Sequence, residues 1–175
     1  MKRLTGAVAA ALTAFALVNP PVAAAAQNTA TASIPIDPVT TLEIHTMGNC
    51  VPGDQCYFTS SANLLTPDGP TGFPPQFYAK QNTTLRTNSR EVYLEADFNA
   101  PDTREFKSIT DVEFSTVYFN GGPPEKFTLP GNVRTLNWAT GQPDTDVTLY
   151  VCSYIQVVYA NVNLTSPTAC AQTTY

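Results

Sequence analysis

The stretch best placed to carry chemistry is "GNCVPGDQC", residues 48–56, which holds two of the four cysteines and closely follows His45, the only histidine. Thiolates and imidazoles are good zinc ligands, and cysteine pairs also serve redox chemistry or close loops as disulfides. Zinc sites favour about two to four residues between cysteines, and redox pairs favour about two. Five residues separate Cys50 from Cys56. The spacing therefore favours a structural disulfide, with His45 as an ordinary strand residue.

Four cysteines, an even number, predict two disulfides if the chain folds in an oxidising compartment. Residues 51–55 contain a Pro-Gly turn that would bring Cys50 and Cys56 together. The remaining pair, Cys152 and Cys170, would then attach the C-terminal segment to a long strand. The crossed pairings stay open, because sequence alone does not determine connectivity.

The N-terminus has the three parts of a secretory signal peptide. Lys2 and Arg3 precede an apolar run at residues 6–18, and Pro20 and small residues ending at Ala26 follow it. Small side chains before the cleavage point are what signal peptidase requires, and the apolar run is short for a membrane span. We therefore predict a signal peptide over residues 1–26. The mature protein would be extracellular or held in the cell envelope, and it would not insert into the membrane.

Charge excludes two classes of partner. Cleavage would leave 149 of the 175 residues, and the loss of Lys2 and Arg3 would reduce the nine basic residues to seven, against 14 acidic residues. A net charge near −7 repels nucleic acid and anionic lipid surfaces. Neither is expected as a partner, and no motif calls for a cofactor.

The rest of the chain is predicted to be all-β, because its apolar runs are short and alternate with polar residues between turn signals. Residues 40–46, 90–98 and 111–119 show this alternation, and residues 145–164 indicate a long central strand. About eight strands predict a two-sheet β-sandwich over residues 40–175, immunoglobulin-like in one version, with a closed β-barrel as the alternative. Residues 27–39 are predicted to be a flexible N-terminal segment.

Two loops are rich in proline and glycine, "LLTPDGPTGFPPQF" (residues 64–77) and "YFNGGPPEKF" (residues 118–127). Proline stiffens an exposed loop, so less entropy is lost when the loop binds a partner. Phe73 and Phe77 are accordingly the candidate binding residues. The alternative is that the loops only connect strands and that these rings are buried beneath them.

Other candidate sites are weaker. The sequence contains no nucleophile elbow and no zinc-protease helix, and a Ser-His-Asp triad would have to use His45. Asp144 and Asp146 could contribute to a calcium site or simply form a turn. Four acidic residues lie on strands that could be neighbours, and a glycosidase pair could form among them: Glu95, Asp97, Asp111 and Glu113.

Four stretches resemble small exported proteins of mycobacteria and related actinobacteria: "CYFTSSANLLTPDGPTGFP", "TVYFNGGPPEKF", "WATGQP" and "VCSYIQVVYANVNLTSPTAC". The resemblance covers most of the predicted mature chain and all four cysteines. It implies secretion and disulfide bonding, and it carries over no catalytic residue.

Together these features predict a secreted, non-catalytic β-sandwich that binds an extracellular protein or glycan. Two alternatives remain. One is a proteinase inhibitor that presents a proline-stiffened loop, and the other is a hydrolase of a class without short motifs.

Overall fold

The computed structural model of the chain describes residues 26–53 and 55–175. The predicted signal peptide lies outside these residues except for Ala26. The described part of the chain forms one short 3₁₀ helix, Pro124–Phe127, and twelve strands. In chain order the strands are β1 (Ala26–Pro35), β2 (Thr41–Cys50), β3 (Cys56–Thr66), β4 (Gly69–Thr71), β5 (Tyr78–Thr87), β6 (Val92–Phe98), β7 (Thr103–Lys107), β8 (Asp111–Phe119), β9 (Thr128–Asn137), β10 (Thr148–Tyr159), β11 (Val162–Thr165) and β12 (Ala169–Thr174).

The strands form two antiparallel sheets. Sheet 1 has the order β1-β2-β3-β9-β6, with β4 also paired to β3. Sheet 2 has the order β11-β10-β5-β8-β7, with β12 also paired to β10. The predicted two-sheet sandwich is confirmed, and the sheets do not close into a barrel. The strand number exceeds the predicted eight, partly because the short β4 and β11 carry too few residues to show alternation.

The flexible N-terminal segment predicted over residues 27–39 is wrong for most of its length. Strand β1 pairs with β2 continuously, from Ala26 opposite Cys50 to Pro35 opposite Thr41. Ala30 packs against the core of the sandwich from this strand. Small alanine and threonine side chains give little hydrophobic contrast, so the alternation of β1 is not visible in the sequence.

The long strand β10 has the faces that the sequence predicts. Val151 and Ile155 point into the core and are fully buried, whereas Tyr154 is exposed on the opposite face. Strand β5 pairs along one edge of β10, and β12 and β11 share the other edge. Paired on both edges, β10 is a central strand, as predicted.

The space between the sheets contains two apolar clusters. The first lies beside the buried Cys50–Cys56 disulfide and includes Phe58 and Phe114, whose rings stack 5.5 Å apart. The second lies beneath the proline-rich loops and includes Phe127. We call them the disulfide-end cluster and the loop-end cluster.

A belt of buried polar side chains separates the two clusters. On β3, for example, Ser60 lies between Phe58 of the disulfide-end cluster and Ala62 of the loop-end cluster. Gln81 Nε2 donates to Ser60 Oγ at 2.9 Å, and this bond joins sheet 2 to sheet 1. Equivalent positions on the other inner strands complete this polar belt: Thr46, Thr83, Thr116 and Ser153.

We predict that Ser60→Ala lowers the free energy of unfolding by about 1–3 kcal/mol, because the buried Gln81 amide loses its hydroxyl partner and keeps only the longer bond, 3.3 Å, to the Ser60 carbonyl. The double variant Ser60→Ala/Gln81→Met should recover most of this loss, since it removes both polar groups. Urea denaturation of the wild type, the single variant and the double variant measures the effect. A double variant less stable than Ser60→Ala would contradict a structural role for this pair.

Candidate functional sites

The two proline-rich loops meet at one end of the sandwich. Phe73 N–H donates to the carbonyl of Gly122 at 3.0 Å, and Gly122 N–H donates to the carbonyl of Phe73 at 3.0 Å. These reciprocal bonds pair the first proline loop (residues 67–77) with the second (residues 120–127). The loops therefore form one unit, although 48 residues lie between the bonded positions.

Two glycines permit this close approach. A Cβ atom at Gly72 would overlap the carbonyl oxygen of Gly122, and one at Gly121 would overlap the carbonyl oxygens of Phe73 and Pro74. Lys126 Nζ donates to the carbonyls of Phe119, Asn120 and Gly121, at 2.8, 2.8 and 3.0 Å. These contacts join the two loops directly.

The prediction that Phe73 and Phe77 are exposed binding anchors is wrong, and the alternative of burial is observed. Phe73 is 4% exposed and Phe77 is 3% exposed. Their rings stack 4.2 Å apart, and both pack edge-on against Phe127, at 4.6 and 5.3 Å. Burial removes a large aromatic area from water, so these rings support the loops from beneath.

A cleft of about 760 Å³ lies above these rings. Its walls are the two proline loops, the turn between β1 and β2, and the start of β11. Most of its lining is apolar: Ile36, Leu64, Pro70, Pro74, Pro123 and Val162. Thr71 is an exposed residue of this lining. We call this surface the proline-loop cleft.

Two titratable groups line the proline-loop cleft. Asp37 Oδ1 accepts the N–H groups of Val39 and Thr40, each at 2.9 Å. The bond from Val39 is the main cause that holds the pKa of Asp37 below its ordinary value. Burial raises the pKa of Tyr159, and the negative charge of Asp37 raises it further. At neutral pH the cleft therefore presents one carboxylate and one neutral phenol.

Both predicted disulfides are present, and each joins residues directly opposite one another on paired strands. Cys50–Cys56 is fully buried, whereas Cys170 is exposed and Cys152 is half-buried. The described residues include no free cysteine. Two disulfides indicate an oxidising compartment.

His45 lies in a chain of hydrogen bonds on the outer face of sheet 1. Its Nδ1 is 2.8 Å from Thr31 Oγ1, its Nε2 is 2.6 Å from Asn63 Oδ1, and Asn63 Nδ2 donates to Glu43 Oε2 at 3.1 Å. The order of hydroxyl, imidazole and orienting group resembles a catalytic triad. However, β2 pairs with both β1 and β3, so its N–H groups serve the sheet rather than an oxyanion hole. His45 is a residue of a paired strand, as predicted.

The four acidic residues considered for a glycosidase pair do not lie on neighbouring strands. Glu95 and Asp97 belong to β6 in sheet 1, whereas Asp111 and Glu113 belong to β8 in sheet 2. Glu95 instead forms an ion pair with Arg134 of β9, at 3.1 Å.

The Asp144–Asp146 segment forms a turn. Asp146 N–H donates to Asp144 Oδ1 at 3.3 Å, the pattern of an Asx turn. Within residues 26–53 and 55–175, no group of three or more His, Cys, Asp or Glu side chains is placed to hold a metal ion. The segment therefore forms the turn that the sequence analysis gave as the alternative to a calcium site.

The fold and the cleft define the class of this protein. It is a disulfide-bonded two-sheet β-sandwich with a cleft beside two paired loops. Comparison with protein-family models, curated proteins and solved structures finds no match to this chain. The resemblance to actinobacterial exported proteins stays a prediction. In the described part of the chain, no helix has the length and apolar character to cross a membrane.

Sequence reasoning found both loops but missed most of the other cleft residues. Asp37, Tyr159 and Val162 come from turns and strand ends far from the loops in sequence. The glycines at positions 72, 121 and 122 are the sequence signal that could have indicated the pairing of the two loops, because glycine permits close backbone approach.

We predict that Phe73→Ala and Phe77→Ala each lower the free energy of unfolding by about 3–5 kcal/mol, because each leaves a cavity in the loop-end cluster. Phe119→Ala is the matched control, because that ring is 59% exposed, and its effect should stay within about 0.5 kcal/mol. Thermal and urea denaturation measure these changes. Full stability of both core variants would restore the exposed-anchor hypothesis.

We also predict that a small phosphine reductant opens Cys152–Cys170 in the folded protein before Cys50–Cys56, because only the first is accessible to solvent. Alkylation followed by peptide mapping should find the label on Cys152 and Cys170. Untreated protein should be about four hydrogens lighter than fully reduced protein, two for each disulfide. Alkylation of untreated, folded protein would show free thiols and contradict the pairing.

Proposed function

We propose that this protein is a secreted, non-catalytic β-sandwich of the extracellular space or cell envelope that binds a protein partner in the proline-loop cleft. The observation that carries the proposal is the pairing of the two proline loops through Phe73 and Gly122. This pairing makes a concave surface that exists before any partner arrives.

Preorganisation favours binding, because little conformational entropy remains to be lost. The cleft walls are held by proline rings, by the glycine contacts and by the three hydrogen bonds from Lys126. Phe73, Phe77 and Phe127 fill the space beneath them. These contacts support the proposal that the loops keep one conformation, and the buried rings hold the loops from beneath.

The cleft chemistry favours a protein segment over a glycan at this site. Its walls are mainly aliphatic and proline side chains, which match an apolar side chain better than a hydroxyl-rich surface. Asp37 adds a negative charge that would attract a basic residue beside the apolar one. We therefore infer a partner segment that carries an apolar residue next to Lys or Arg.

The proposal of secretion is supported by the predicted leader over residues 1–26 and by the two disulfides. The resemblance to exported actinobacterial proteins is consistent with it. The negative charge of the predicted mature chain argues against nucleic acid and anionic lipid as partners.

The proteinase-inhibitor alternative would require residues 67–77 to present their backbone to a protease. The Phe73 N–H and carbonyl groups are instead bonded to Gly122. Cleft binding uses the loops in the conformation that they have, so we favour it. Titration of secreted serine proteases with the purified protein separates the two functions.

The test places a photo-crosslinking amino acid at Thr71, on the cleft wall, or at Ser33, an exposed residue of β1 that does not line the cleft. Each purified protein is irradiated in culture supernatant of the producing cells. We expect a discrete protein adduct from position 71 and none from position 33.

Binding of the identified partner is then measured directly. Thr71→Arg should weaken it by about tenfold or more, because a bulky cation obstructs the cleft. Ser33→Arg should leave the affinity unchanged. Identical adducts from both positions, or full affinity of Thr71→Arg, would contradict the proposal.

A further inference from the structure

The outer face of sheet 2 is a second surface, separate from the proline-loop cleft. Because side chains alternate along a strand, residues opposite one another on paired strands point to the same side. Tyr78 of β5 lies opposite Phe119 of β8, and Glu113 of β8 lies opposite Phe106 of β7. Phe119 and Phe106 are 59% and 55% exposed, so apolar rings lie at two places on a solvent-facing sheet.

A groove of about 870 Å³ runs along β8 on this face. Phe119 lies at one end and Phe106 lies beside Glu113, six residues earlier on the strand. At about 3.4 Å per residue, the two rings are about 20 Å apart along the strand. Ser115 and Val117 form the floor between them. We call this surface the β8 groove.

The polar groups of the β8 groove balance in charge. Lys80 and Arg104 are cationic, and Asp102 and Glu113 are anionic. The ion pairs of the described residues lie elsewhere: His45–Glu43, Lys107–Glu105 and Arg134–Glu95. None of these four groups forms an ion pair with another, and their net charge is zero.

The side chain of Glu113 is held by a hydrogen bond from the neighbouring strand β5. Asn82, which is buried, donates from Nδ2 to Glu113 Oε1 at 3.0 Å and to Tyr154 Oη at 2.8 Å. One amide thus links a carboxylate of β8 to a phenol of β10. Hydrogen-bonding groups on the groove wall are held in place before any ligand binds.

We propose that the β8 groove binds a neutral oligosaccharide. Exposed rings can stack against the C–H faces of sugars, and the charged groups between them can donate to and accept from hydroxyl groups. Zero net charge gives no electrostatic preference for a polyanion or a polycation. A protein interface would have a mainly apolar centre with a polar rim, whereas this groove has polar groups between its rings.

The test uses affinity electrophoresis of the full mature protein in gels containing one soluble polysaccharide each: xylan, mannan, galactan, (1→3)-glucan, (1→4)-glucan or the acidic control polygalacturonate. We expect at least one neutral polysaccharide to retard the protein, by an amount that does not change when salt is raised. Retardation by none of the neutral polymers, or only by polygalacturonate in a salt-sensitive way, would overturn the proposal.

Variants then locate the site. Phe106→Ala and Phe119→Ala should each weaken binding by about tenfold or more, with an unchanged melting temperature. Trp138→Ala is the matched control, because that ring is 69% exposed on a loop outside the groove, and it should bind normally. Thr71→Arg should also bind normally, so the outcome is independent of the cleft. Equal loss in Trp138→Ala, or no loss in either Phe variant, would overturn the assignment.

Discussion

The buried hydrogen bond from Gln81 of β5 to Ser60 of β3 ties the two sheets together at the middle of the core. An unpaired amide in such a place costs stability, so the polar belt favours the one stacking of the sheets in which this bond forms. The same constraint sets the outer face. Because side chains alternate, an inward Gln81 turns Lys80 and Asn82 outward, toward the β8 groove and Glu113.

The two ends of the sandwich are closed by different chemistry. At one end, the buried Cys50–Cys56 disulfide covalently closes the β2–β3 hairpin beside its cluster. At the other, backbone hydrogen bonds, glycine contacts and Lys126 hold the proline loops over the loop-end cluster. No covalent link is present at the loop end within the described residues, so its conformation depends on these hydrogen bonds and on the packing of Phe73 beneath the loops.

The sequence predicted features with local signals and missed those that depend on distant partners. The faces of β10 follow from alternation, and the Cys50–Cys56 disulfide follows from the turn between its cysteines. Phe73 pairs with Gly122 and packs against Phe127, both in the second loop, and no local pattern connects that loop to the first. Strand β1 was missed for another reason, since its small side chains carry almost no hydrophobic contrast.

The cleft and the groove are connected through the backbone that follows β8. Lys126 Nζ donates to the carbonyl of Phe119, whose ring ends the groove, and to that of Gly121, which lies beside the loop pairing. Asn120 N–H donates to the carbonyl of Phe77, whose ring supports the cleft. A segment of four residues, 119–122, therefore carries both the aromatic end of the groove and one wall of the cleft. Because these bonds already hold the segment in the free protein, the two surfaces share one preformed support.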